Sequence, residues 1–228
     1  LAASESYRSE MSARARRRAE AFDIRRSVEQ LVVEYRTVIG DVRKTSGTTR
    51  TIRSTWLTIN PNLEASARSL QDWIRLGVDR GMAISVVLRQ RGDLSRGLQD
   101  RAVPYTVVAM HWPDRSKFLL SASHALKLRR FLAAQGTQVL HCYVHDIYPF
   151  AVMLRSITSL PLVCHVHFAV EREFCRWAFA GPRKLPDALI WTSHQQQRDC
   201  EAAVAGIIPL ERQYVIPLGL DPLQLEAH

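Results

Sequence analysis

From residue 56 to residue 217, short runs of β-branched and other apolar residues alternate with stretches of helical periodicity. Strands are predicted at residues 56–59, 83–88, 105–109, 138–143, 162–167, 188–192 and 214–217. Helices are predicted between them at residues 64–80, 117–135, 146–156, 171–179 and 195–205, whereas residues 91–101 are predicted only as a polar connection. This alternation predicts an α/β fold with a doubly wound, mostly parallel sheet that is covered by helices on both faces.

The first forty residues have a different pattern. Residues 8–21 predict a polar, basic helix, and a second helix is predicted to follow Asp23, whose side chain can cap it. The apolar residues of this second helix form one stripe that must be buried: Ile24, Val28, Leu31, Val32 and Tyr35. We therefore divide the chain into an N-terminal helical appendage (1–40), a linker rich in Gly, Ser, Thr and charge (41–54), and an α/β domain (55–228).

The composition excludes several classes of protein. A hydrophobic fraction of 46% and a charged fraction of 23% are those of an ordinary globular chain. No apolar run is long enough for a membrane-spanning helix, and the hydrophilic N-terminus predicts no secretory signal, so we expect a cytoplasmic protein. The four dispersed cysteines argue against a zinc finger or a disulfide framework. The net charge of +9 favours anionic partners, although the basic residues lack the interleaved aromatics of nucleic-acid binders.

Polar residues follow several predicted strands, where ligands bind in parallel α/β sheets. Asn60 and Asn62 occupy the first strand-to-helix turn, and they either bind a sugar or phosphate or only satisfy the turn backbone. That turn has no G-x-G-x-x-G, and the chain has no P-loop, which disfavours a dinucleotide dehydrogenase and a P-loop NTPase. Ser193 follows a later strand, and we interpret it as the N-cap of the helix near residue 195 rather than as a nucleophile.

Histidines are concentrated at two strand ends. His141 and His145 flank one end, and His165 and His167 close another. Strand alternation places His165 and His167 on the same face. We interpret His165 as a hydrogen-bonded core residue and His167, at the strand end, as the better functional candidate. A metal site is disfavoured because no carboxylate pair lies beside these residues at ligand spacing.

Five short segments, through their order and spacing, resemble glycosyltransferase family 4 and its GT-B relatives, in which two Rossmann-like domains face each other across a cleft. These segments are residues 81–87, 139–145, 161–167, 187–193 and 215–221. The chain departs from the family pattern where Met82 replaces the usual His, where Leu218 replaces the usual Asn, and where Asn60 to Asn62 replace a glycine-rich first loop.

The resemblance implies that residues 55–228 are the Rossmann-like, acceptor-side domain of a hexosyltransferase-like, retaining enzyme. A nucleotide-diphosphate sugar would be the co-substrate, with no metal or other cofactor, and the acceptor would be a sugar or a lipid-linked molecule. His167 would be the catalytic residue near the transferred sugar. The substrate-binding residues would be Asn60, Asn62, Glu64, His145 and Ser193.

The resemblance also implies that the chain is a fragment that is inactive alone, because the donor domain of the family is absent. Residues 14–39 resemble the C-terminal helices of such enzymes, which leaves open a tandem protein or a helix that packs on its own Rossmann-like domain. The alternative function is a non-catalytic binding or scaffolding domain derived from a glycosyltransferase. A third hypothesis is a basic module that makes peripheral contact with an anionic membrane at its inner face.

Overall fold

A computed structural model describes residue 7 and residues 9–14, 22–40, 51–59, 66–111 and 116–219. Seven strands form one sheet in the order β3-β2-β1-β4-β5-β6-β7, and every neighbouring pair is parallel. The strands are β1 (Arg53–Thr58), β2 (Ala83–Leu88), β3 (Tyr105–Val107), β4 (Val139–Cys142), β5 (Leu162–Val166), β6 (Ala188–Trp191) and β7 (Gln213–Val215). The predicted doubly wound α/β fold is confirmed.

Helices connect the strands and cover both faces of the sheet. They are α1 (Ile24–Val38), α2 (Ser66–Asp79), α3 (Asp93–Asp100), α4 (Phe118–Gln135), α5 (Tyr148–Thr158), α6 (Arg172–Ala178), α7 (His194–Asp199) and α8 (Glu201–Val204). Short 3₁₀ turns lie at His145–Ile147 and Leu210–Arg212, and residues 9–14 are helical. None of the helices in these described ranges is both long and apolar enough to cross a membrane.

Three predicted segments differ from the structure by more than one or two residues at an end. Strand β1 begins at Arg53, inside the span predicted as a linker, because Arg53 pairs with Ala83 of β2. The polar segment 91–101 contains helix α3, which is stabilised by burial of Leu94 and Leu98. The helix predicted at 195–205 is interrupted at Cys200 and forms α7 and α8.

Two cores lie on opposite faces of the sheet because alternate strand residues point to opposite sides. On one face, helices α1, α2 and α3 pack against residues such as Trp56 and Val163. On the other face, helices α4, α5, α6 and α8 pack against residues such as Leu57 and Cys164. Both faces are apolar, as a fully covered parallel sheet requires.

Helix α1 belongs to the first of these cores. Asp23 caps it by accepting a hydrogen bond from the backbone N–H of Arg25 at 2.9 Å. Its predicted apolar stripe is buried, and Tyr35 is fully enclosed beneath the sheet. The segment after β7 lies against the beginning of this helix, where Gly219 adopts a left-handed φ of 65° beside the backbone of Ile24. Helix α1 therefore packs on the same sheet as the rest of the chain.

Candidate functional site

The strand order reverses between β1 and β4, and this is the place where an open parallel sheet forms a crevice at its carboxyl edge. Just beyond the last residue of β4, the backbone N–H of Tyr143 donates to the carbonyl of Leu57 in β1 at 3.0 Å. The backbone N–H of Arg89, which follows β2, donates to the carbonyl of Thr58 at 3.3 Å. These bonds hold the first residues after β2 and β4 close to the end of β1.

A cavity of about 290 Å³ lies at this reversal point. Its walls come from the residues that follow β1, β2, β3 and β4 and from the first residue before helix α4. Among the residues that the structure describes, the lining consists of Ile59, Arg89, Met110, His111, Lys117, Asp146 and Ile147. We refer to it as the carboxyl-edge cavity. It combines two cationic side chains, one histidine and one carboxylate with an apolar floor, so it can orient a polar ligand.

A second feature of this edge is a row of three histidines on the face covered by α1 and α2. The ring centroids of His165 and His167 are 4.4 Å apart, and those of His141 and His165 are 5.5 Å apart. Tyr143 lies over His167 with centroids separated by 4.4 Å. We call His141, His165 and His167 the histidine row. It runs from the interior at His141 to the carboxyl edge at His167.

The histidine row is largely apolar in its surroundings. Trp56 stacks on His141 with centroids 4.2 Å apart, and Trp73 meets the edge of His165 at 5.9 Å. Within the described residues, neither ring nitrogen of His165 has a hydrogen-bond partner, and the same holds for Nε2 of His167. His165 is therefore a core residue as predicted, but the prediction that it is hydrogen-bonded is wrong.

Burial determines the protonation of these imidazoles, because the charged form loses its hydration in an apolar environment. Burial lowers the pKa of His141 and of His165 well below the ordinary value. It lowers the pKa of His167 to about 4, with a smaller contribution in the same direction from His145. Near neutral pH, His167 is thus an uncharged imidazole that can donate or accept a hydrogen bond at the edge of the sheet.

His145 links the row to the carboxyl-edge cavity. It is buried on the 3₁₀ turn after β4, and its Nε2 lies 3.5 Å from a carboxylate oxygen of Asp146, which lines the cavity. Burial lowers the pKa of His145, and the charge of Asp146 opposes that shift. His145 and His167, which we predicted from separate strands, follow the neighbouring strands β4 and β5, and the charge of His145 contributes to lowering the pKa of His167.

Ser193 is placed as predicted for a helix cap. Its hydroxyl accepts a hydrogen bond from the backbone N–H of Gln196 at 3.0 Å at the beginning of α7. The side chain of Gln196 accepts from the Thr192 backbone N–H at 2.9 Å and donates to the Phe168 carbonyl at 3.2 Å. This one side chain ties the residues after β5 to those after β6, which fixes the surroundings of His167.

The structure places the other predicted residues as follows. Asn60, Asn62 and Glu64 lie outside the described residues. Met82 is buried at the beginning of β2, at the opposite edge of the sheet from the candidate site. The backbone carbonyl of Leu218 accepts a hydrogen bond from Nε1 of Trp73 at 3.2 Å.

Four residues of the carboxyl-edge cavity were missed by the sequence analysis: Arg89, His111, Lys117 and Asp146. The rule that ligands bind after strand ends was applied to the ends of β1, β4, β5 and β6 only. Applied to β2 and β3 as well, it indicates Arg89 and His111. Lys117 carried no signal beyond its position at the beginning of a predicted helix.

Within the part of the chain that the structure describes, no three His, Cys, Asp or Glu side chains converge as a metal site would require. The four cysteines are buried free thiols. Burial raises the pKa of Cys175 to about 11, so this thiol is protonated near neutral pH.

Three solved structures share this architecture, and two of them are named as glycosyltransferases. Anabaena HepE, solved in complex with UDP and glucose, superposes with a TM-score of 0.59 at 19% identity, over 75% of this chain and 45% of its own. A glycosyltransferase from Rickettsia africae has a TM-score of 0.59 at 10% identity, over 78% and 48%. The lipopolysaccharide outer core galactosyltransferase WaaB has a TM-score of 0.55 at 12% identity, over 73% and 45%. At these identities the similarity establishes the fold alone: a Rossmann-like α/β domain that resembles about half of each of these structures.

The family follows from the sequence match. The model of Glycosyltransferase Family 4 matches residues 66–223, which is more than half of the chain. The chain belongs to glycosyltransferase family 4, and its family and fold are those of a transferase. No curated protein matches the sequence. The chain spans slightly less than half of the length of the three solved enzymes.

Proposed function

We propose that this chain is the acceptor-binding half of an enzyme that transfers a sugar from a nucleotide-diphosphate sugar. The observation that carries the proposal is that His167, His145 and the carboxyl-edge cavity all lie at the carboxyl ends of adjacent strands of a family 4 sheet. Two of these features were predicted from separate strands, and both lie where α/β sheets bind ligands.

His167 is proposed as the catalytic residue that touches the transferred sugar. Its imidazole is uncharged near neutral pH, so it can form a hydrogen bond with an uncharged sugar hydroxyl. Its orientation is maintained by packing against Tyr143 and His165. His145 and Ser193 are proposed to support substrate binding from the neighbouring strand ends, together with Asn60, Asn62 and Glu64.

The donor is proposed to be held by a second Rossmann-like domain, so that this chain is inactive alone. Two considerations support this part of the proposal: solved relatives are about twice as long, and HepE was solved with UDP and with UDP-glucose. Transfer is proposed to retain the configuration of the sugar and to need no metal. The acceptor is proposed to be a sugar or a lipid-linked molecule.

Contact with an anionic membrane is proposed as the setting of this reaction. The first residues of α4 expose apolar side chains beside Lys117 at the carboxyl edge, with Leu119 82% exposed and Phe118 53% exposed. Apolar side chains next to cations are typical of interfacial segments. Vesicles with anionic lipid should sediment the protein more efficiently than neutral vesicles, and equal sedimentation contradicts this setting.

The test of the transferase function is a transfer assay on the full natural gene product with UDP- and GDP-sugars and total cell glycolipid as acceptor. His167→Ala should reduce kcat about 100-fold, which is the usual contribution of a well-placed polar catalytic group. His194→Ala is the matched control, since His194 is exposed on α7 and forms no part of the proposed site.

Calorimetry tests whether binding of the donor sugar nucleotide requires more than this chain. The chain alone should not bind UDP-sugars, whereas the full gene product should bind them. If the full product neither binds nor transfers any sugar nucleotide, the non-catalytic scaffolding alternative replaces the transferase. If it transfers sugar with full activity in the His167→Ala variant, the assignment of the catalytic residue is wrong.

A further inference from the structure

The carboxyl-edge cavity carries a positive electrostatic bias that comes from two separate elements. Arg89 directly follows β2, and Lys117 directly precedes α4. Both side chains are exposed to solvent on the cavity wall, and among the described residues Asp146 is the one carboxylate in that wall. With both cations charged, the described part of the lining has more positive than negative charge.

Helix α4 adds to this bias. It has 18 residues, begins at the cavity, and has no acidic residue in its first turn. The positive end of the helix dipole therefore points toward the cavity, and no acidic side chain on the first turn of the helix opposes it. Anions are bound most readily where such a helix end coincides with charge-assisted donors such as Arg and Lys.

The geometry of these groups is fixed by the backbone. The N–H of Arg89 is bonded to the carbonyl of Thr58 at 3.3 Å, and the N–H of Ser121 is bonded to the carbonyl of Lys117 at 2.8 Å. The hydroxyl of Ser121 also donates to the carbonyl of His111 at 3.4 Å, which joins the residues after β3 to α4. The two cations are thus attached to ordered backbone on two sides of one cavity.

We propose that the carboxyl-edge cavity binds a phosphate group of the acceptor, so that the acceptor is a phosphate ester of a sugar, polyol or lipid and not a neutral glycan. This inference rests on the proposed function, because it specifies the substrate class of the same site. Arg89 and Lys117 are the residues that bind the phosphate, and they act as specificity-determining residues. Asp146 lies on the wall of the same cavity, where its carboxylate can accept a hydrogen bond from a hydroxyl of the ester.

The test is a titration of the chain with glycerol 3-phosphate and with glycerol, at low salt and about pH 7.5, where a phosphate monoester is mostly a dianion. Glycerol 3-phosphate should bind, and glycerol should not. The double variant Arg89→Ala, Lys117→Ala should weaken that binding by about tenfold or more. Both side chains are exposed, so the variant should keep the wild-type Tm.

A charge-matched control distinguishes a site from general attraction to a basic protein. Arg101 lies at the opposite, amino edge of the sheet, and Arg130 lies on the exposed side of α4. The double variant Arg101→Ala, Arg130→Ala removes the same charge and should change the affinity by less than about twofold. Equal weakening by the two double variants overturns the proposal, and so does equal binding of glycerol and glycerol 3-phosphate.

A UDP titration of the chain identifies the source of the phosphate. If UDP binding depends on Arg89 and Lys117 while glycerol 3-phosphate does not bind, the cavity serves the donor diphosphate and the proposal fails. Phosphate binding without any sugar transfer by the full gene product contradicts the proposed function but not this site. Transfer to a neutral acceptor that is unaffected by the Arg89→Ala, Lys117→Ala variant contradicts this site but not the proposed function.

Discussion

The hydroxyl of Tyr35 shares a hydrogen bond with Nδ1 of His141, a residue 106 positions further along the chain. Tyr35 is on helix α1 and His141 is on β4, the central strand of the sheet. Both side chains are fully buried. The bond therefore joins the N-terminal helix to the middle of the α/β domain, at the inner end of the row that leads to His167.

We expect Tyr35→Phe to destabilise the protein by about 1–3 kcal/mol, because it leaves Nδ1 of a buried imidazole without its partner. Nε2 of His141 already has none among the described residues. Urea unfolding measures the change. Tyr214→Phe is the matched control, since that hydroxyl donates to the Glu211 carbonyl in a partly exposed position and its loss should cost less than about 1 kcal/mol. Equal losses would contradict a special role for the Tyr35 bond.

Protein stability should fall as the pH decreases below neutrality. Burial lowers the pKa of His141, His165 and His167 in the folded state, so the folded protein resists protonation while the unfolded chain accepts protons near pH 6.5. The stabilisation is thus complete above about pH 6.5 and is lost as the pH falls toward the folded pKa values. For His167, whose folded pKa is about 4, the loss amounts to about 3 kcal/mol.

Urea unfolding between about pH 7 and pH 5 measures this dependence, and removal of one histidine isolates its share. His165→Phe should reduce the slope by about one proton, or about 1.4 kcal/mol per pH unit, because both nitrogens of His165 lack partners and a ring of similar shape replaces it. A wild-type stability that is constant between pH 6.5 and pH 5 would show that these imidazoles are not held neutral.

The contact between the beginning of helix α1 and the segment after β7 predicts the behaviour of two glycine variants. A Cβ at Gly219 would collide with the backbone of Ile24, and φ at Gly219 is left-handed. Gly206 has a similar φ of 70° but open space around it. Gly206→Ala should cost only the backbone strain of about 1–2 kcal/mol. Gly219→Ala should cost about 1–3 kcal/mol more, because α1 or the segment after β7 must shift.

Thermal unfolding compares these two glycine variants directly. Nuclear magnetic resonance should show shifts at Ile24 and Trp73 for Gly219→Ala, since the carbonyl of Leu218 accepts a hydrogen bond from Trp73. Similar Tm values for the two variants would contradict the close packing of residue 219 on helix α1.

The sheet was predictable from the sequence because each strand carries its own signal. Val163, His165 and His167 alternate with buried apolar residues, and Gly136 ends α4 in a left-handed conformation at the position where the apolar pattern stops. Helix α3 was missed because only two of its side chains, Leu94 and Leu98, are apolar and buried, which is too few to show a period. Local signals thus identified long elements better than short ones.

The candidate site was only partly predictable, because strand order is a property of the whole sheet. His167 and His145 could be named as residues at strand ends, but their proximity depends on β4 and β5 being neighbours. Arg89 and Lys117 line one cavity because the strand order places the ends of β1, β2, β3 and β4 beside one another. The spacing of residues along the sequence does not show which strands are neighbours in the sheet.

A final prediction concerns Gln196, whose side chain connects the residues after β5 and β6. Its carbonyl oxygen accepts from the backbone N–H of Thr192 at 2.9 Å and from the Thr192 hydroxyl at 2.7 Å, and its amide donates to the Phe168 carbonyl. Gln196→Ala should therefore speed amide hydrogen exchange at Thr192 by about tenfold, since that N–H loses its acceptor.

Gln195→Ala is the control for this prediction, because it removes the same side chain from the next position of α7. Gln195 donates to Asp199 on the exposed surface of the helix and, among the described residues, has no hydrogen bond to the β5 segment. Its loss should cost about 0.2–0.5 kcal/mol and leave exchange at Thr192 unchanged. In the full gene product, Gln196→Ala should also lower kcat, because the carbonyl that it anchors belongs to Phe168, the residue after His167. Equal exchange rates at Thr192 in the two variants would mean that the residues after β5 and β6 are positioned by packing alone.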